Sequence, residues 1–198
     1  MMPILILAAG SSSRMRGRDK LLERVDGEPL LARQIAMAQS ISHDVRVALP
    51  PAPHPRHAIA AKSGARCVIV PDADEGMGAS LRTIFGTLRT EPCAMLLLAD
   101  LPDISADDLR AVQNAVQDVP DALIWRGATA NGQGGHPIVF HHSLFPAISK
   151  LSGDDGGRGV VQSAGTRVHL VPLQGNRARL DLDTPEDWAA WRAARQIT

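Results

Sequence analysis

The sequence predicts a three-layer α/β/α sandwich, and two patterns predict it. Short apolar, β-rich runs recur at residues 4–7, 45–49, 67–70, 94–98, 122–125 and 168–171, and most of the intervals between them are long enough for a helix. Strands alternating with helices imply parallel pairing through right-handed crossovers, so the sheet is expected to be Rossmann-like and mostly parallel. A chain of 198 residues can bury roughly 70% of its unfolded surface around one core. No linker, repeat or low-complexity boundary divides it, so residues 1–198 are expected to form a single domain.

The elements follow in order. The run at 4–7 stops at Ala8-Ala9-Gly10, a small-residue turn that reads as a buried strand opening into a loop. Residues 30–40 follow Pro29 and carry Leu31, Ile35 and Ala38 at helical spacing, whereas the prolines of 50–55 mark a loop. Residues 77–88 place Leu81, Ile84, Phe85 and Leu88 on one helical face. Ser105 with Asp108 three residues on resembles a capping box for a helix reaching Val116. Residues 127–135 read as a polar, glycine-rich excursion before a further strand at 137–140. Thr184, with Pro185 at the first helical position and Asp187 at the third, starts a C-terminal helix whose Trp188 and Trp191 pack it against the body.

Composition removes several classes of function. Lys+Arg and Asp+Glu are equal at 21 each, so no overall field recruits nucleic acid or an anionic membrane. Three Phe, three Trp and no Tyr leave no stacking platform for single-stranded nucleic acid. The apolar runs are too short to span a bilayer, and the first lacks a basic leader, so a cytoplasmic chain is expected. Cys67 and Cys93 lie in or beside strand-like segments without C-x-x-C spacing and read as buried thiols. His54, His57, His136, His141 and His142 show no zinc spacing, and no G-x-S-x-G elbow is present.

The chemistry concentrates at the ends of strands, where open α/β sheets bind ligands. After the first strand, Gly10-Ser11-Ser12-Ser13-Arg14-Met15-Arg16-Gly17-Arg18-Asp19-Lys20 offers backbone amides, hydroxyls and cations suited to a polyphosphate. Ala8, Ala9 and Gly10 let a ligand lie against the backbone, and Gly10 is expected to supply the positive φ of a sharp turn. Arg14 would act as a planar fork and Lys20 as a compact ammonium. The same composition also describes a turn with a solvated basic edge, and neither G-x-G-x-x-G nor G-x-x-x-x-G-K-[ST] can be read here. Asp100, just past the most apolar strand, reads equally as a Mg²⁺ ligand or as a turn acid before a proline-directed bend. Asp181 and Asp183 alternate on one extended segment, where either side chain can point into the same cleft. Asp183 is also placed for an ordinary role near a helix N-terminus. Gly76 to Ser80, at a helix start, suits backbone recognition of a base or ribose. The segments around Gly135-His136-Pro137 and 153–159 suggest a second, mobile wall for another substrate, or surface turns.

Taken together, Leu7-Ala8-Ala9-Gly10, Arg14-Met15, Gly17, Lys20-Leu21-Leu22, Glu75-Gly76-Met77, Ser80-Leu81-Arg82, Ala99-Asp100-Leu101-Pro102, Gly135-His136-Pro137, Gly153-Asp154-Asp155-Gly156 and Asp183-Thr184-Pro185 resemble the molybdenum cofactor nucleotidyltransferases. The match is strongest to their cytidylyltransferase branch and spans nearly the whole chain. The resemblance implies a nucleotide-diphospho-sugar transferase type of fold and transfer of CMP from CTP to the phosphate of molybdopterin, with Mg²⁺ as cofactor and pyrophosphate released. It implies Arg14, Lys20 and Asp100 as catalytic residues, and Leu7, Ala8, Ala9, Gly10, Gly76 and Ser80 around the nucleotide. Gly135, His136 and Pro137 would face the acceptor, and Asp100 and Asp183 the metal. A molybdoenzyme or its maturation chaperone is the implied recipient. The guanylyl branch typically has Gly where this chain has Ala9, a methyl group that narrows the base pocket toward a pyrimidine. Two departures touch the loop: Arg16 stands where the pattern often has Gly, and Asp19 where Pro or Asn is expected. The alternatives are a guanylyltransferase or sugar-phosphate nucleotidyltransferase of the same fold, or a non-catalytic molybdenum cofactor carrier. An NAD-dependent oxidoreductase is disfavoured, because the glycine fingerprint and its acidic ribose ligand are missing.

Overall fold

The computed structural model describes residues 2–196. Its strands are β1 (Ile4–Leu7), β2 (Arg24–Val25), β3 (Glu28–Pro29), β4 (Val45–Leu49), β5 (Arg66–Ile69), β6 (Cys93–Leu98), β7 (Ile124–Ala128), β8 (Gly134–His141) and β9 (Val168–Pro172). Seven of them form one sheet in the order β5-β4-β1-β6-β8-β7-β9. Every neighbouring pair is parallel except those involving β8, which runs antiparallel to both β6 and β7. The strands expected from their apolar runs are thus present in a mostly parallel sheet. The reversed strand has a local cause: β7 extends to Ala128 and turns back through residues 129–133, with Thr129 N donating to Gln133 O at 2.9 Å. So short a connection can join only antiparallel strands. The glycine-rich stretch at 127–135 is therefore a strand end, a tight turn and a strand start, and not an excursion.

Helices α1 (Leu30–Gln39), α2 (Pro55–Ser63), α3 (Met77–Phe85), α4 (Ala106–Asp118), α5 (Phe145–Ile148), α6 (Arg158–Ser163) and α7 (Pro185–Gln196) cover both faces. Alternation along β1 sets the layers. Ile4 and Ile6 pack with Leu31 and Ile35 of α1, Leu109 and Val112 of α4, and Trp188 of α7. Leu5 faces the other side, with Ile84 and Phe85 of α3 and Val160 of α6. Phe85 meets Phe140 and Phe145 edge-on, with ring centroids 5.7 and 5.4 Å apart.

Local signals explain the boundaries. Ser105 and Asp108 form the expected reciprocal capping box of α4. The Thr184 and Asp187 pair does the same for α7, as Asp187 N donates to Thr184 Oγ1 at 3.1 Å and Thr184 N to Asp187 Oδ2 at 2.9 Å. Trp188 and Trp191 are buried, and Trp191 Nε1 donates to Asp103 Oδ1 at 3.0 Å. Helix α2 begins with Pro55 in its first turn, after His54, whose side chain accepts from Arg56 N. The small β2–β3 hairpin turns on Asp26 and Gly27, with φ of 51° and 86°, the positive pair that an Asp-Gly two-residue hairpin requires. The cysteine expectation holds for Cys93, which is buried, but Cys67 is exposed. It lies on β5, at the edge of the sheet, where only Val68 of the strand is buried. Among the described residues no helix is long and apolar enough to cross a membrane.

Candidate active site

The carboxyl ends of β1 and β6 open into a cavity of about 390 Å³, within the usual range for small-ligand sites. Leu7, Ala8, Ala9, Gly10, Arg14, Lys20, Gly76, Ser80, Asp100 and Asp183 all line it. Residues drawn from four separate segments of the sequence therefore meet at one groove.

The loop after β1 is held from beneath by an interaction the sequence does not announce. Arg56, in the first turn of α2, is 1% exposed. Its guanidinium donates to Ala8 O and Gly10 O, each at 2.7 Å, to Ser12 Oγ at 2.9 Å, and to Asp19 Oδ1 and Oδ2 at 2.6 and 2.7 Å. Burial pushes the Asp19 carboxyl up, but hydrogen bonding and charge from Arg56 and the Leu21 amide outweigh it and hold it below its ordinary value. The departure at Asp19 thus supplies the partner of a buried cation. Buried Met15 pins the loop to the core.

The positive φ expected at Gly10 falls elsewhere. Ser12 and Arg16 take φ of 53°, and Gly17 takes 84°. At Gly10 a Cβ would meet nothing within 4 Å, so neither backbone conformation nor a neighbouring protein atom requires glycine there. Arg16 carries the left-handed backbone that glycine would adopt without strain.

Lys20 Nζ lies 2.5 Å from Asp100 Oδ2 and 2.6 Å from Asp183 Oδ1. Burial would lower its pKa, but the two carboxylates more than offset this and hold it above the ordinary lysine value, so the ammonium stays charged. Arg14 reaches Asp183 Oδ2 at 2.8 Å from an exposed position. Asp183 is placed by the α7 cap, because its backbone N donates to Asp187 Oδ2 at 3.3 Å. Leu182 N donates to Asp100 O at 3.3 Å, tying this segment to the end of β6. Asp181 does not line the cavity. Its carboxyl is pushed up by burial and then by the negative charges of Asp183 and Asp100.

One oxygen of the pair is uncommitted: Asp100 Oδ1 is buried without a hydrogen-bond partner. A hard divalent cation needs such an oxygen, so the Asp100 and Asp183 donor set fits Mg²⁺ or a similar ion completed by water and phosphate. Among the described residues, no group of three or more His, Cys, Asp or Glu side chains gathers into a closed metal cage.

The far wall includes part of 153–159. This segment docks on the start of α3 and contributes Asp154 to the same cavity. Gly78 N donates to Gly153 O at 2.9 Å, and Gly153 N to Glu75 Oε1 at 3.0 Å. Gly76 and Gly78 permit the approach, since their Cβ atoms would fall 2.4 Å from Asp154 Oδ1 and 2.7 Å from Ser152 C. Gly135, His136 and Pro137 do not line the cavity. They start β8, beside the end of β6. Gly135 packs on the Ala178 carbonyl, where a Cβ would lie 2.0 Å away. Burial, then Arg126, lowers the His136 pKa to about 4 despite Asp100, so the ring is neutral at pH 7. Sequence reasoning missed Arg56, Asp74 and Arg126, and met Asp154 only as part of the Gly153-Asp154-Asp155-Gly156 motif. Only Arg56 carried a local signal, its place in a proline-started helix immediately after a strand and loop.

A cavity that gathers Arg14, Lys20, Asp100 and Asp183 at the carboxyl end of this sheet has donors and cations suited to a nucleotidyltransferase. Residues 4–169 match the model of the MobA-like NTP transferase domain, and the chain belongs to that family. Its fold is that of the nucleotide-diphospho-sugar transferases. The chain is 30% identical to the "Probable molybdenum cofactor guanylyltransferase" of Synechococcus elongatus, covering 94% of this chain and 95% of that one. It is 29% identical to the "Purine catabolism protein PucB" of Bacillus subtilis, over 96% and 95%. Among solved structures it is similar to Rv0371c of Mycobacterium tuberculosis H37Rv, with a TM-score of 0.79, 27% identity and coverage of 96% and 98%. A complex of Rv0371c with manganese superposes with a TM-score of 0.77.

Proposed function

We propose that this nucleotidyltransferase transfers CMP from CTP to the terminal phosphate of molybdopterin. The observation that carries the reading is the grip of Asp100 and Asp183 on Lys20, with Asp100 Oδ1 left over. The acceptor phosphate oxygen forms a bond to the α-phosphorus of CTP as the bond to the bridging oxygen breaks, and that oxygen leaves with its electron pair as pyrophosphate. No protein nucleophile is needed, because the acceptor is already an anion and the obstacles are alignment and charge repulsion. Arg14, Lys20 and the loop amides after β1 hold the triphosphate and neutralise the leaving pyrophosphate. Asp100 and Asp183 would hold Mg²⁺, whose charge offsets that on the reacting phosphate oxygens. The manganese complex of Rv0371c supports a divalent ion in this family. Leu7 to Gly10 and Gly76 to Ser80 enclose the nucleoside, and Gly135, His136 and Pro137 face the acceptor. The dinucleotide product passes to a molybdoenzyme or its maturation chaperone.

CTP is favoured because buried Ala9 lines the groove with a methyl group, which takes volume a purine needs. The guanylyl reading is supported by the name of the Synechococcus relative. One experiment separates them: purified chain, Mg²⁺ and molybdopterin are mixed with CTP, GTP, UTP or ATP singly, and any dinucleotide is identified by mass. The CMP adduct is expected to dominate. Dominance of the GMP adduct would overturn the base assignment, and no adduct with any nucleotide would overturn the acceptor. Ala9→Gly is expected to raise the GTP product relative to the CTP product.

A further inference from the structure

Two arginines near this site have no acidic partner. Arg126 is the middle residue of β7, and its Nε donates to Gly135 O at 2.9 Å. Arg179, in the 3-10 turn Arg177–Arg179, reaches Gly134 O at 3.4 Å. Neither forms an ion pair among the described residues, whereas their neighbour Arg177 approaches Asp108 at 3.5 Å. The two guanidiniums bracket consecutive peptide groups closely enough that burial, then Arg179, lowers the Arg126 pKa. Beside them the Nδ1 of His136 is buried without a hydrogen-bond partner. Unpaired like charges next to an unsatisfied ring nitrogen are costly when empty and favourable when an anion arrives.

The sheet order gives the cluster its meaning. Across β1-β6-β8-β7, the loop proposed for the polyphosphate follows β1, Asp100 follows β6, His136 lies near the start of β8, and Arg126 lies two residues before the end of β7. Because β8 is reversed, the β1 loop, Asp100 and His136 lie at the same end of the sheet, and the side chain of Arg126 reaches that end through its bond to Gly135 O. Phosphoryl-type transfer places the attacking and leaving oxygens roughly in line. With pyrophosphate leaving toward the β1 loop, the acceptor must come from the opposite side of Asp100, where the arginines stand. We propose that Arg126 and Arg179, with His136, form an anion subsite that binds the acceptor through its phosphate monoester. Planar guanidiniums suit that group by presenting paired donors to its oxygens. The assignment rests on the transfer reading above and names the part of the site that selects a phosphorylated acceptor.

The test uses inorganic phosphate as the probe, titrated calorimetrically into the full chain saturated with CTP, for wild type, Arg179→Gln and Arg126→Gln. Kinetics with molybdopterin varied run in parallel. Wild type is expected to bind phosphate, and phosphate is expected to inhibit competitively against the acceptor. Each variant should raise both the phosphate inhibition constant and the acceptor KM by about 10-fold, the loss expected for a charged hydrogen bond, with kcat and the KM for CTP unchanged. Arg179 is exposed, so its variant carries the test if Arg126→Gln fails to fold. Wild-type acceptor KM in both folded variants, or phosphate that competes with CTP alone, would overturn the subsite. Absence of CMP transfer by wild type would overturn the function instead, and the phosphate titration would still decide the subsite.

Discussion

Each end of the central sheet is closed by a buried arginine, and the two spend their hydrogen bonds differently. At the amino end, Arg46 of β4 pairs with Asp44 and Glu91 and donates to Thr87 O at 2.8 Å. Its partners join the beginnings of β4 and β6 to the end of α3. At the carboxyl end, Arg56 spends its donors on a single loop, the one that lines the groove. The first arginine seals a boundary of the fold. The second pre-forms a surface, so that the loop does not have to be ordered when the nucleotide binds.

The sharpest way to break this contrast is Arg56→Ala. It strands Asp19 and two carbonyls in the interior, which typically costs ~3–5 kcal/mol. A fall in the denaturant midpoint should come with weaker nucleotide binding, and Arg56→Lys should not restore binding because it cannot serve Asp19 and both carbonyls together. Unchanged nucleotide affinity in the lysine variant would reduce Arg56 to a second boundary seal. Lys20→Ala comes next, with an expected loss on the order of 10²–10³ in turnover and retained fold by circular dichroism. Asp100→Ala should in addition abolish the response to added divalent metal, read as activity against metal concentration.

The amino end is tested by pH. Burial raises the Glu91 pKa, but backbone hydrogen bonds and then Arg46 lower it from 4.5 to about 2. The folded state is therefore favoured fully above pH 4.5, and that contribution is lost as pH falls through about 2. Thermal unfolding between those limits should show a decline that Glu91→Gln flattens. The smallest effect is expected for Arg16→Gly, which relieves a left-handed backbone worth roughly 1–2 kcal/mol, less any contribution from the exposed pair with Glu186 at 2.7 Å. A small rise in Tm should result. A fall would mean that the ion pair outweighs the strain.

Much of the molecule was legible because its signals are local. The strands announce themselves as aliphatic runs, α4 and α7 as Ser/Asp and Thr/Asp caps, and the sheet class as strand and helix in alternation. The Asp26-Gly27 hairpin carried an equally local signal that the strand and helix patterns alone did not use. The reversal of β8 was less visible, since residues 127–135 have the composition of any polar loop, and only the 2.9 Å bond from Thr129 to Gln133 reveals a tight turn. Exposure of Cys67 depends on β5 being an edge strand, a property of strand order that no segment contains. At the groove, the residues singled out around Gly10, Lys20, Asp100 and Asp183 do converge on one cavity. Their roles belong to the proposal above.

What the sequence determined by itself was the set of elements and the identity of the polar groups at their ends, because periodicity, caps and turn residues act within a few positions of each other. Tertiary structure alone decided which charges meet. Lys20 and Asp183 are 163 residues apart along the chain and 2.6 Å apart in space. The partners of Arg56 at Ala8 and Gly10 are 48 and 46 residues away. Electrostatic and hydrogen-bond energies depend on distance and burial in three dimensions, and neither exists until the sheet has ordered its strands.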